Sequence, residues 1–516
     1  MKSMNALAAG EKWLPPQLKT QYPRFHLIKD VKELNERILQ RLSLDGVDGI
    51  SCLAFPSLPG ASRCARAIQE AGGTENTVIP VQFSRSDSLP GENSWLDIHA
   101  IIFPSEYFSA AFLCWIHTGD GISPRHAAFC LTGFDYLQSI SINPAFCTAS
   151  PKTLAVKGAH VPSLYTSGIV ERDCIKEEIA TLVQSEDLEQ VPPSPSDVFL
   201  YPGGMAAVNA VARVVGDLGI NTGVFAFGWL YTETMKVLEH RWPDITTYKR
   251  SGDDELDQLE ASLKAGAEIN ALWVDVPSNP LLVTPDMPRI RRLANEYGFL
   301  VLIDGTVGTF VNVDLLPYGD VLMSSLTKIY SGYANVLAGS AVVNPKSSHY
   351  ESLHRQLTIS YENTLFPGDL AVLYENSRSY IPRVKATNKN AEIVAAKLAA
   401  HPAIERVNFP TMTARKNYET IRRPDGGYGN LMSIIFRENE TALRFYDGVG
   451  IFKGASFGTV FTLSTPFAQL ATDENRRLYA EAGIPSHIVR MSIGAEDVDT
   501  ILDTLFKALA TAILRD

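Results

Sequence analysis

In the run Ser324-Ser325-Leu326-Thr327-Lys328 a lysine closes an apolar stretch, 24 positions after the aspartate that ends a second one, Leu300-Val301-Leu302-Ile303-Asp304. A lysine at a strand end can form a Schiff base with an aldehyde, and an aspartate at the mouth of a neighbouring strand can hold a pyridine nitrogen protonated. Together these are the needs of pyridoxal 5'-phosphate (PLP), which then serves as an electron sink. Gly203-Gly204, at a strand-to-helix junction, offers a backbone free of Cβ bulk whose first helical amides aim at one point, as phosphate binding requires. Ser325 and Thr327 add hydroxyls on either side of the lysine's approach that can complete the cup.

Such residues need strand ends to hold them. From Asp197 onward strand-like runs alternate with helical ones: strands over Asp197–Tyr201, Val224–Phe227, Ala271–Asp275, Phe299–Asp304, Val321–Ser324 and Gly339–Val343, and helices over Met205–Asp217, Thr232–His240 and Pro288–Tyr297. That order predicts an α/β parallel sheet, whose ligand site lies beyond the carboxyl ends of the strands. After about Pro345, helical stretches (Leu370–Leu398, Val498–Leu514) with short strands between (Leu431–Phe436, Ile488–Ser492) predict a smaller α+β unit. Before the Pro/Ser-rich break at Val191–Ser196, short apolar runs such as Ala100–Phe103 carry no motif with known chemistry. The expected division is an accessory N-terminal region over 1–155, a PLP-binding large domain with an N-terminal arm over 156–345, and a C-terminal small domain over 346–516.

At 516 residues, 45% hydrophobic and 20% charged, the chain reads as a globular protein large enough for two or three cores. A net charge of −11 with no run of Lys and Arg argues against a nucleic-acid partner. The six cysteines form no C-x-x-C pair and have no histidine at metal spacing, so reduced thiols and no metal are expected. The apolar stretch Ala110–Ile116 is too short to span a bilayer, and a cytoplasmic protein without membrane contact is expected.

Taken together these segments resemble the Cys/Met-metabolism PLP family, the γ-class of fold type I enzymes. Its Gly-Met phosphate turn is similar to Gly204-Met205, and its ring-stacking tyrosine to Tyr231. Its E-x-P-S-N-P segment resembles Asp275–Pro280, its D-x-T Asp304–Thr306, and its S-x-T-K Ser325–Lys328. Further on, S-L-G-x-x-x-[ST]-L resembles Ser456–Leu463 and R-I-S-x-G-x-E-D resembles Arg490–Asp497, so the likeness runs in order over residues 165 to 516. Tyr22–Phe25 and His117–Ser123 are similar to the extra N-terminal region of fungal cystathionine γ-synthase-like proteins.

The resemblance implies a large domain built on a mostly parallel seven-stranded sheet. It implies Lys328 as Schiff-base lysine and proton shuttle, Asp304 as partner of the ring nitrogen and Tyr231 as the stacking, catalytic tyrosine. Asn279 would face the 3'-oxygen, and Gly204, Met205, Ser325 and Thr327 the phosphate, with Thr306 beside the cofactor. Arg490, assisted by Thr462, would clamp the substrate α-carboxylate. The family's Y-x-R element, which reaches a neighbouring subunit's phosphate, has only Val170-Glu171-Arg172 as counterpart, with the tyrosine missing. Arg172 is the candidate to reach across within a homodimer or homotetramer with shared active sites. The implied reaction is γ-replacement on an O-acyl-L-homoserine, O-acetyl-L-homoserine first, by a thiol or by a carbon or nitrogen nucleophile of a specialised pathway. A cystathionine or methionine lyase and a non-catalytic PLP-fold binding protein are the alternatives.

Overall fold

The computed structural model describes residues 27–85, 95–141, 143, 167–470 and 473–513; Tyr22–Phe25 and Cys147 lie outside them. Three sheets organise the chain. The first is antiparallel, with β1 (Ile50–Phe55), β2 (Ile79–Arg85), β3 (Ile98–Pro104) and β4 (Leu137–Ser141) in the order β1-β3-β2-β4. Its strands alternate apolar side chains to two buried faces. Cys52, Phe83 and Ile102 pack under helices α1 (Lys29–Arg41) and α4 (Pro124–Gly133), while Leu53, Phe55 and Phe103 pack under α2 (Leu58–Glu70) and α3 (Phe108–Thr118). The N-terminal region is thus a sheet covered by helices on both faces, an order its sequence did not reveal.

The second sheet holds β5 (Val198–Tyr201), β6 (Val224–Phe227), β7 (Thr246–Tyr248), β8 (Ala271–Asp275), β9 (Leu300–Asp304), β10 (Val321–Ser324) and β11 (Gly339–Val343) in the order β5-β11-β10-β9-β8-β6-β7. β11 runs against both its neighbours, and the remaining pairs are parallel. Because both faces are covered, the strands other than β7 are largely apolar runs rather than alternating with polar residues. In β8, Ala271 and Trp273 enter one core, while Leu272 and Val274 enter the other. α5 (Ser167–Leu182), α8 (Asp253–Lys264) and α9 (Met287–Tyr297) lie on one face, with α6 (Gly204–Asp217) and α7 (Thr232–Arg241) on the other. The edge strand β7, three residues long and largely exposed, has no apolar run and went unpredicted.

The third sheet, β12 (Ile404–Asn408), β13 (Leu431–Phe436), β14 (Phe452–Lys453), β15 (Leu463–Pro466) and β16 (Val489–Ser492), has the order β12-β13-β16-β15-β14. The helix expected over Leu370–Leu398 is two, Pro367–Ser377 and Tyr380–Ala399. Pro382 has no N–H to donate and is tolerated only in a first turn, so the helix restarts just before it. Among the described residues no helix is long and apolar enough to cross a membrane, and no His/Cys/Asp/Glu group could hold a metal.

Candidate active site

The carboxyl ends of β8, β9 and β10 and the first turns of α6 and α7 surround a cavity of about 470 Å³, closed on the far side by the third sheet. Parallel pairing sets Asp275 directly beside Asp304 and Asp304 beside Met323, so both acids and the chain leading to Lys328 emerge at one level. Gly204, Met205, Tyr231, Asn279, Asp304, Thr306, Ser325, Lys328 and Arg490 all line this cavity.

The phosphate end is built by close approach. A Cβ on Gly204 would lie 2.8 Å from the Ser325 Cβ, so only glycine lets α6 begin against the end of β10. The amide of Ser325 donates to Thr306 Oγ1 at 2.8 Å, and that of Thr306 donates to Asp304 Oδ1 at 2.8 Å, tying β9 and β10 together. Burial raises the Asp304 carboxyl above its ordinary pKa, with Thr306 and Lys328 pulling the other way. Burial, and then Asp304 beside it, raises Asp275 further, although the Tyr231 amide donates to Asp275 Oδ2 at 2.8 Å. That bond fixes the start of α7 and with it Tyr231.

Lys328 is 9% exposed, and its Nζ donates to Ser456 Oγ at 3.1 Å. Arg490, 3% exposed, donates to Asn279 Oδ1 (3.2 Å), the carbonyls of Ala455 and Ser456 (2.9 Å each) and Thr465 Oγ1 (3.2 Å). No carboxylate among the described residues pairs with it. Desolvation pulls its pKa down to about 10, so the guanidinium stays cationic at neutral pH. Phe457 stands where the family pattern has leucine, its ring 4.9 Å from Lys328 Nζ and 5.3 Å from Arg490 Cζ. For Arg490 the ring face partly replaces the missing counter-charge.

Two sequence expectations need correction, those for Thr462 and Thr327. Thr462 does not line the cavity: its hydroxyl donates to Glu496 and accepts from the Gly494 amide, pinning the loop before β15. Thr465, three residues on and directly across from Arg490 in the β15–β16 pairing, is the threonine that touches it. Thr327 also stays outside, because its hydroxyl donates to the Ala338 carbonyl and accepts from the Ala338 amide. Arg172 sits on α5, away from the cavity of its own chain, its Nε buried without a hydrogen-bond partner among the described residues. Sequence reading also missed Tyr479, Leu113 and Ile116 as cavity residues. Thr465 follows only from the β15–β16 register, and nothing local marked the other three.

These residues fit PLP. A glycine-started helix beside a serine suits a phosphate, and a buried aspartate of raised pKa gains from a pyridinium partner. A buried lysine lies between them, and a buried arginine without an acid suits a carboxylate.

Comparison with known proteins agrees. Residues 172–510 match the family described as Cys/Met metabolism PLP-dependent enzyme, and residues 30–123 match the fungal trans-sulfuration enzyme N-terminal domain. The chain is 38% identical to the cystathionine gamma-synthase-like protein ankD of Aspergillus thermomutatus, over 100% of this chain and 92% of that one. It is 29% identical to cystathionine gamma-synthase of Neurospora crassa, over 98% and 94%. Among solved structures, cystathionine gamma synthase of Xanthomonas oryzae pv. oryzae superposes with a TM-score of 0.56 at 23% identity, over 67% of this chain and 87% of that one, a likeness of fold. The chain belongs to the Cys/Met-metabolism PLP-dependent enzymes, as a cystathionine γ-synthase-like member that carries the fungal trans-sulfuration N-terminal domain.

Proposed function

We propose that the protein catalyses γ-replacement on an O-acyl-L-homoserine, O-acetyl-L-homoserine first, with a thiol or a carbon or nitrogen nucleophile as acceptor. The observation that carries this reading is Arg490: a buried cation without an acid partner, sharing one cavity with Lys328, suits the carboxylate of an α-amino acid. Bound PLP supplies an electron sink conjugated to the amino acid's α-carbon.

The chain's residues do the rest. Arg490 holds the α-carboxylate, with Thr465 and Asn279 orienting the guanidinium. Lys328 Nζ would take the proton from Cα, hand it on to the cofactor and, neutral again, take one from Cβ; acetate then leaves Cγ and carries off the acceptor's proton, the nucleophile adds there, and Lys328 returns protons to Cβ and Cα. With PLP bound, Asp304 would hold the proton on the pyridine nitrogen, Tyr231 would cover the ring, and the amides of Gly204 and Met205 with Ser325 would bind the phosphate. Arg172, which lies outside the cavity of its own chain, would reach a neighbouring subunit's site within a homodimer or homotetramer. The three separate sheets support a division near residues 155 and 345.

The test supplies the PLP-loaded enzyme with O-acetyl-L-homoserine and, separately, cysteine, an alkanethiol, a β-keto acid and an amine. Acetate release is followed, and products are identified by mass spectrometry. Release coupled to an acceptor adduct is expected. Release of 2-oxobutyrate and ammonia in place of adducts would indicate a lyase, and no acetate with any acceptor refutes γ-replacement.

A further inference from the structure

The N-terminal region reaches the cavity. Helix α3 packs against α6 and α7, the two helices whose first turns hold Gly204, Met205 and Tyr231. Two of its side chains, Leu113 and Ile116, are part of the cavity wall, joined there by Val208, Phe467 and Leu470.

The seating of α3 is specific. At its end Gly119, with φ +68°, approaches so closely that a Cβ would lie 2.7 Å from the Ala206 amide nitrogen. Two residues earlier His117 Nε2 lies 2.8 Å from Glu233 Oε2, and Glu233 also accepts from Lys236 Nζ at 3.5 Å. The polar groups of the lining near Leu113 and Ile116 are engaged among themselves, Glu233 with His117 and Lys236 and the Thr232 hydroxyl with the Tyr479 hydroxyl at 3.3 Å. Lys328 and Arg490 line the same cavity from the segment after β10 and from β16, and Phe467 lies against the Arg490 guanidinium, its ring 5.2 Å from Cζ.

We propose that Leu113 and Ile116 form the acceptor subsite, and that this subsite takes the apolar chain of an uncharged nucleophile, such as an alkyl- or aryl-bearing thiol, in preference to a second zwitterionic amino acid. The proposal rests on the γ-replacement reading and assigns its second substrate class. An amino-acid acceptor brings an ammonium and a carboxylate that need unpaired partners when desolvated, and here the neighbouring charges already satisfy one another. An alkyl chain needs only apolar area, and each buried methylene favours binding by about fourfold.

The PLP-loaded enzyme is assayed with a series of straight-chain alkanethiols and with cysteine, O-acetyl-L-homoserine being the common donor. Independently, binding of the matching S-alkyl-L-homocysteines is read from the absorbance of the bound cofactor. In the wild type, kcat/KM and affinity should both rise with chain length by roughly three- to fourfold per methylene over the first few carbons, and alkanethiols should outcompete cysteine. Leu113→Asn and Ile116→Asn should flatten both slopes, whereas Ser109→Asn, on the exposed side of α3, should keep them. Leu113 is 43% exposed, so its variant remains informative if Ile116→Asn fails to fold. Flat slopes in a wild type that releases acetate, or a preference for cysteine, overturn the acceptor subsite and leave γ-replacement standing. Absence of acetate release refutes γ-replacement; a chain-length slope in binding that Leu113→Asn abolishes would still uphold the apolar wall.

Discussion

Replacing Arg490 by methionine tests the core of the functional reading. The guanidinium is 3% exposed, four hydrogen bonds fix it, and no acid among the described residues balances it. Removing one member of a buried charge pair costs about 2–5 kcal/mol, which is roughly a 30- to 5,000-fold loss of kcat/KM for O-acetyl-L-homoserine. Methionine also strands Asn279 Oδ1 and the carbonyls of Ala455 and Ser456, so part of any loss is structural. The decisive comparison uses 3-aminopropyl acetate, which has the amine and the ester but no carboxylate. The wild type should prefer the amino acid by a factor in that same range, and in Arg490→Met the preference should collapse toward unity. Arg490→Lys, which keeps the charge but loses the fork, should fall between the two. Although desolvation lowers its pKa, the guanidinium stays cationic across the assay range, so the preference should stay flat from about pH 6 to 9. An equal loss with both substrates would refute the carboxylate clamp.

Three further outcomes follow from the packing. The raised pKa of Asp275 means the folded, cofactor-free protein favours its neutral form, so its contribution to stability is full at acid pH and lost as pH rises through the folded pKa. Asp275→Asn should therefore raise the melting temperature of the cofactor-free protein at pH 7–8 and leave it unchanged near pH 3, as calorimetry across pH would read. Thr465→Val should raise KM for the amino-acid donor several-fold with little effect on stability, whereas Thr462→Val, which breaks bonds to Glu496 and Gly494, should cost about 1–2 kcal/mol in urea unfolding. Gly119→Ala meets both a positive φ and the Ala206 backbone, and should cost about 1–3 kcal/mol in the same assay.

The large sheet was legible because each strand is a buried apolar run bounded by Gly, Pro or Asp, and a buried parallel strand leaves few alternatives. β7 was not, since an exposed edge strand of three residues carries no such run. The N-terminal strands do carry apolar runs, but they alternate with turn clusters at irregular spacing, and no βα rhythm distinguishes them. The site was read through its motif residues, and the two threonines show where such reading stops. A hydroxyl at a motif position can turn to a backbone group, as Thr327 does toward Ala338, and only the local hydrogen-bond geometry decides. Thr465 was recoverable in principle, because the β15–β16 pairing sets it across from Arg490, but register between strands 25 residues apart is not written in either strand. Leu113 and Ile116 had no local signal at all; an apolar residue on a helix reads as core until the surface that helix meets is known.

Packing and ion pairs tie the N-terminal region to the catalytic half. Phe366, from the segment leading into the helix Pro367–Ser377, stacks on His126 at 4.6 Å and meets Trp95 and Phe129, so a side chain from the catalytic half completes the core beneath the first sheet. Burying a phenylalanine is worth about 1.5–3 kcal/mol, shared here between two units that each need it covered. Around it, Arg63 bridges Asp120 and Glu362 at 2.6 and 2.7 Å, and Arg125 pairs with the nearly buried Asp369 at 2.7 Å. These pairs are partly desolvated and hydrogen-bonded on both sides, the circumstance in which charge pairs fix orientation rather than merely decorate a surface. They flank the segment His117–Ser123, whose residues end α3 and seat it on the first turns of α6 and α7. The same contacts that hold the first sheet in place thus hold Leu113 and Ile116 at the cavity. Loss of either anchor should be felt at the acceptor side of the site before it is felt at Lys328.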